Sequence, residues 1–183
     1  MSIVHTCNPN NIDEKGYSNV PAKAIKYTPV TSCITVTVVL RPQTTKEVKV
    51  NYQQLMGAHF VAEMDNNEVQ SLVKQFTSHW RGTVEGVYMI GDLGVWSDPS
   101  NTWKNYKEIF KQIVKGRASE GTTRYWIQNK SGKKGGSGAN IEMEVRLDKI
   151  RAVIDGIEWS DDANKEIAKE KMQEVISSAN ASL

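Results

Sequence analysis

Sulfur ligands are scarce in this chain. Its 183 residues contain two cysteines, Cys7 and Cys33, far apart and outside any CxxC pair. The three histidines, His5, His59 and His79, are not set at metal-ligand spacing either. No zinc or other metal site is therefore expected, and no local pattern gives a catalytic thiol its base. The expectation is one buried thiol and one partly exposed thiol. A surplus of one charge is also missing: 23 basic residues stand against 21 acidic ones, a net charge of +2. Nucleic-acid-binding domains ordinarily carry a clear basic excess, so no nucleic-acid preference is evident. Apolar runs are short, and the stretch around Val38–Leu40 cannot span a bilayer. The opening residues, MSIVHTCNPNN, lack a basic segment followed by an apolar one, which predicts no secretory leader. The product is expected in the cytoplasm at synthesis; a virion component, or a protein exported whole by a dedicated machine, would carry the same signals.

What is present is an ordinary globular balance, 39% hydrophobic and 24% charged residues, in a chain long enough for one sizeable core. Residues 1–30 read as a polar N-terminal arm. Asn8-Pro9-Asn10-Asn11, Gly16, Pro21 and Pro29 interrupt any regular element there. Such an arm orders only against its own domain, a partner or another copy of the chain. Residues 31–183 read as a single α+β domain. Ile34, Val36 and Val38 alternate with Thr35 and Thr37, the period of a strand. A short return strand is expected over 46–50. Leu55, Met56, His59, Phe60 and Met64 form a helical stripe, so 51–64 is predicted helical, with Gly57 weakening it. Asp65 with Glu68 three positions later forms a capping box. Behind it, Val69, Leu72, Val73, Phe76 and Trp80 predict an amphipathic helix. A strand is predicted over 83–90. The Gly91–Gly94 turn lacks the spacing and lysine of a phosphate loop. Asp98-Pro99 then opens a helix carrying Trp103, Tyr106, Ile109, Phe110 and Ile113 on one side and a solvated row of lysines on the other.

The stretch Tyr125–Leu147 reads as a hairpin with a Gly-, Ser- and Lys-rich tip. Its second strand alternates strictly, with Ile141, Met143, Val145 and Leu147 on one face and Glu142, Glu144 and Arg146 on the other. A strand over 152–154 and a helix after Ser160 complete the reading. The predicted architecture is a mainly antiparallel sheet with helices packed on one face. The sheet contains 33–40, 84–90, 123–129 and 140–147. The core includes Val36, Val38, Phe76, Trp80, Ile109, Phe110, Met143 and Val145.

Two carboxylates side by side on a strand are suited to general acid–base work or to holding a cationic intermediate. Without a catalytic role, they pair across the hairpin with Arg124 or Lys130 on a solvated face. Glu142-Met143-Glu144, after its Gly-rich turn, resembles the E-x-E strand of ADP-ribosyltransferase toxins. His79-Trp80-Arg81-Gly82-Thr83 is similar to that family's early Arg-Gly strand. The likeness covers two short pieces. It implies an NAD-binding Arg81, a Glu144 that stabilises the oxocarbenium formed as nicotinamide leaves, and a Glu142 that orients the acceptor. The nearest counterpart of the family's Ser-Thr-Ser strand, Ser97–Thr102, departs from the pattern and lies close to Arg81. The other class is a non-enzymatic binding or self-assembling structural protein, such as a phage, virus or secretion-machine subunit. It needs no cofactor, and its expected partners are copies of itself, with the arm or the hairpin crossing the subunit boundary.

Overall fold

The structure is a computed structural model and describes residues 4–41, 53–78, 80, 83–128, 139–147 and 149–159. In chain order the elements are β1 (His5–Cys7), β2 (Gly16–Ser18), β3 (Ala24–Lys26), β4 (Ile34–Leu40), β5 (Gln54–Phe60), α1 (Asn66–Ser78) and β6 (Val84–Gly91). A short 3-10 turn (Thr102–Lys104) follows, then α2 (Tyr106–Val114), β7 (Ala118–Gln128), β8 (Ile141–Arg146), β9 (Lys149–Ile154) and β10 (Ile157–Trp159). The result is a sheet-dominated mixture of strands and helices. A six-stranded sheet runs β1-β2-β5-β4-β6-β7, and a four-stranded sheet runs β10-β9-β8-β3. The β1–β2 and β6–β7 pairings are parallel; the other pairings between these strands are antiparallel.

The centre of the larger sheet is β4, and all seven of its residues are buried. Its alternation of apolar residues with Thr35 and Thr37 does not leave one face wet. Instead, the threonine face is covered, and each buried hydroxyl has a partner. Thr35 Oγ1 donates to the Ile90 carbonyl at 3.0 Å, and Thr37 Oγ1 lies 2.8 Å from the Tyr27 hydroxyl. Tyr27 follows β3 directly, and its hydroxyl also donates to the Val36 carbonyl at 3.0 Å. Its ring stands edge-on to His59 of β5, 6.1 Å between centroids. A buried polar seam therefore joins the two sheets. On other parts of the large sheet the helices make ring contacts. Phe76 of α1 meets Tyr17 of β2 at 6.4 Å, and Phe110 and Tyr106 of α2 stand edge-on to Trp126 of β7 at 4.9 and 5.4 Å.

Several expectations are met. The strands over 33–40 and 84–90 form, as does the helix after Asp65. Asp65 Oδ1 accepts from the Glu68 amide at 2.8 Å, while the Glu68 carboxylate turns to Lys15 at 3.0 Å instead of back to the cap. Val36, Val38, Phe76, Trp80, Ile109, Phe110 and Met143 are buried; Val145 is half-buried. The helix expected from Asp98 starts later: Asn105 caps α2, its Oδ1 accepting from Lys107 and Glu108, and Asp98 closes its own turn onto Ser100.

Other expectations are corrected. Residues 54–60 form a strand, not a helix. β5 lies between β4 and β2 and is buried on both faces, so Leu55, Met56, Ala58 and Phe60 fall on both sides of the strand and the period of two is lost from the sequence. Gly57, read as a weakness in a helix, is where the Tyr27 ring crosses: a Cβ there would overlap its hydroxyl. The described strands of the Tyr125–Leu147 stretch do not pair with each other as a hairpin. β7 lies beside β6 in the large sheet, and α2 belongs to the crossover that a parallel pair requires. β8 lies in the other sheet between β3 and β9. Nor is the first segment an irregular arm. It supplies β1, β2 and β3, and buries Ile12, Tyr17, Ile25, Tyr27 and Val30. Each fully buried large apolar side chain contributes roughly 1.5–3 kcal/mol. The strand expected over 46–50, Arg81, His79 and the helix after Ser160 lie outside the described residues.

Two predictions follow from the seam. Gly57→Ala should destabilise the fold by about 1–3 kcal/mol, because the new methyl meets a fixed ring and not a mobile chain end. Urea unfolding measures this, and an unchanged midpoint would show that the ring has room to move. His59 gives the second. Burial lowers its pKa below the ordinary 6.5, with a weaker opposing pull from the Ile12 carbonyl. The unfolded chain therefore takes up this proton first as the pH falls. Stability should be flat above about pH 7.5 and decline once the pH drops below about 6.5, levelling off only beneath the folded value. Urea midpoints of the wild type and of His59→Gln, compared from pH 8 to pH 5, should differ in this slope. Equal slopes would remove His59 as the cause.

Candidate functional site

Alternation along β8 turns Ile141 and Met143 inward and Glu142 and Glu144 outward, as the spacing required. Strand register then selects their partners. Lys26 of β3 lies opposite Glu142, and Arg151 of β9 lies opposite Glu144. Lys26 Nζ is 3.3 Å from Glu142 Oε1, and Arg151 Nη1 is 3.4 Å from Glu144 Oε2. Arg151 Nε also reaches Glu158 at 3.2 Å. The partners are therefore Lys26 and Arg151, not Arg124, which lies in β7 of the other sheet, nor Lys130, which is outside the described residues. Together with Asn10 and Ala24, the two ion pairs line an open groove of about 220 Å³. The glutamate side chains are 50% and 44% exposed, and pairs this wet contribute only about 0.2–1 kcal/mol each. Chemically this is a compensated lattice of alternating charge around a shallow groove. Arg81, the third residue of the transferase constellation, is outside the described residues, so the geometry brings together two of the three.

A second cluster was not foreseen. β1 places His5 and Cys7 at i and i+2, on one side of the strand. The chain then turns at Asn8, whose carbonyl and side chain accept from the amides of Asn11 and Asn10, both at 2.9 Å. Ile12, fully buried, anchors the returning chain, and Asp13 arrives beside the strand. A turn from Asp13 to Gly16 follows, with a 3.0 Å hydrogen bond and Lys15 at φ 64°. A left-handed lysine is costly, and here the Lys15 amide is held by the His59 carbonyl at 2.9 Å. His5 Nε2 lies 2.5 Å from Asp13 Oδ1, and the Cys7 thiol donates to the same oxygen at 3.5 Å. One donor atom from each of the three residues lies within 4.8 Å of the others. Gly16 leaves the space: a Cβ there would overlap Cys7 Sγ. Burial, with the Asp13 carboxylate alongside, pushes the Cys7 thiol up from its ordinary pKa.

No local pattern was expected to place a histidine beside a cysteine, yet the fold brings His5 and Cys7 together. The available signal was the H-x-C pair, two residues apart on an extended segment, with an aspartate just past a tight turn. Among the described residues, these three could hold a metal. They do not form a nucleophile–base line, because the thiol's hydrogen bond goes to the carboxylate. Cys33, in contrast, is buried, and its thiol is pushed up to about 11 by that burial.

Comparison with protein-family models, with curated proteins and with solved structures finds no match. Among the described residues no helix is long and apolar enough to cross a membrane.

Proposed function

We propose that this protein is a non-enzymatic binding or self-assembling structural subunit, of the kind used by phage, virus or secretion machinery, and that its partner is another copy of itself. The observation that carries the reading is the charge lattice on the four-stranded sheet. Lys26 and Arg151 alternate there with Glu142, Glu144 and Glu158 on one exposed face. Such a face is self-complementary: a two-fold axis through it sets the carboxylates of one copy over the cations of the next. The carboxylates are occupied by cations of their own chain, which suits a surface better than acid–base chemistry. In this reading the helices cover one face of the large sheet, the small sheet covers the other, and the outer face of the small sheet remains for contact. The first 30 residues are not the exchanged element in this reading, since Ile12, Tyr17, Ile25, Tyr27 and Val30 are buried within their own chain.

Light scattering tests this directly. At low salt and rising concentration, the mass should exceed the 20.5 kDa of one chain. It should fall towards that value near 1 M salt, where charges are screened beyond about 3 Å. Glu142→Lys should weaken association. A monomer at low salt and high concentration would contradict the proposal. The transferase reading keeps one observation in its favour, the two glutamates on the rim of a single groove. NAD is the ligand it requires, so a rise in melting temperature with NAD, together with turnover that a folded Glu144→Gln abolishes, would move the assignment there.

A further inference from the structure

We propose that His5, Cys7 and Asp13 form a binding site for a divalent cation of the zinc class, with the fourth coordination position open to water. The donor set is one imidazole nitrogen, one thiol sulfur and one carboxylate oxygen. That mixture suits a borderline-soft, tetrahedral ion and does not suit magnesium or calcium, which take oxygen. The geometry is close to what such an ion needs. Bond lengths of about 2.0–2.3 Å place neighbouring donors roughly 3.3–3.5 Å apart. The sulfur-to-oxygen separation is already 3.5 Å. His5 and Asp13, now hydrogen-bonded at 2.5 Å, have to part by about an ångström to admit the ion. Both side chains are about half exposed, at 46% and 50%, which leaves them room to move apart.

Three features mark the cluster as more than a chance surface contact. The donors come from two sides of a turn, β1 and residue 13, so an ion would tie the start of the chain to the turn that leads into β2. The turn is held by a left-handed Lys15, a conformation retained against its cost. The thiol lies where only a glycine at position 16 permits it. Coordination proceeds with the Cys7 thiol losing its proton to solvent as the Cys7 sulfur–metal bond forms, while neutral His5 offers a lone pair. Binding therefore releases a proton and tightens as the pH rises. The site does not depend on the assembly reading, because its donors are separate from the charge lattice.

Cobalt(II) titration of the full-length, reduced protein tests the site. One equivalent should produce a thiolate-to-cobalt charge-transfer band, and zinc should displace it. Cys7→Ser should abolish the band, and Cys33→Ser should leave it intact. His5→Ala and Asp13→Asn should each weaken zinc binding by at least the roughly tenfold that disturbing a metal ligand's surroundings costs. These two positions are exposed enough to change without unfolding the chain, and circular dichroism checks this. The proposal is overturned if the wild type shows no band, or if His5→Ala and Asp13→Asn bind zinc as tightly as the wild type.

Discussion

The Tyr27 hydroxyl crosses from the small sheet to the large one, and much of the structure is arranged to let it do so. It donates to the Val36 carbonyl and shares a hydrogen bond with Thr37, in the middle of a strand buried on both faces. A buried hydroxyl or carbonyl left unpaired costs about 1–3 kcal/mol, so the contact specifies how the two sheets meet. Gly57 supplies the space, His59 supplies an edge for the ring, and Ile12 accepts from the imidazole through its carbonyl. Burial pushes the Tyr27 hydroxyl well above its ordinary pKa, so it remains a donor throughout the physiological range.

This seam also explains the place of the first 30 residues. Three consecutive features of that segment bind it in: Ile12 sits in the core, β3 pairs with β8, and Tyr27 closes onto β4. The same routing assembles the His5, Cys7 and Asp13 cluster. The chain has to reverse twice between Cys7 and Gly16 so that β1 and β2 run parallel, and the first reversal brings the aspartate back beside the strand.

Local signals in the sequence were legible where one element decides its own period. The α1 stripe, its Asp65 cap, the β4 alternation and the outward direction of Glu142 and Glu144 are of this kind. What stayed hidden was nonlocal. Burial on both faces put apolar residues at adjacent positions of β5, Leu55 beside Met56, so its residues fit a helical stripe as well as a strand. Ile12, Tyr17, Ile25, Tyr27 and Val30 are single anchors at irregular spacing, each meaningful only opposite strands that come much later in the chain. β7 and β8 are neighbours in sequence but belong to different sheets, a separation no turn composition announces. The ion-pair partners of the glutamates were missed for the same reason, because Lys26 comes from β3. The Cys7 cluster was overlooked because two cysteines without CxxC spacing suggested no metal chemistry, and an aspartate completes the set instead.

The central claim is that the N-terminal segment is part of the cooperative core through the Tyr27 seam. Native-state hydrogen exchange tests it most directly. The amides of Ile12 and Tyr27, bonded to the carbonyls of Lys26 and Ile141, are the reporters. The account predicts that they exchange with the same free energy as the amides of Val36 and Val38 in β4, that of global unfolding. Exchange of Ile12 and Tyr27 at nearly the rate of an open chain, with β4 still protected, would contradict it.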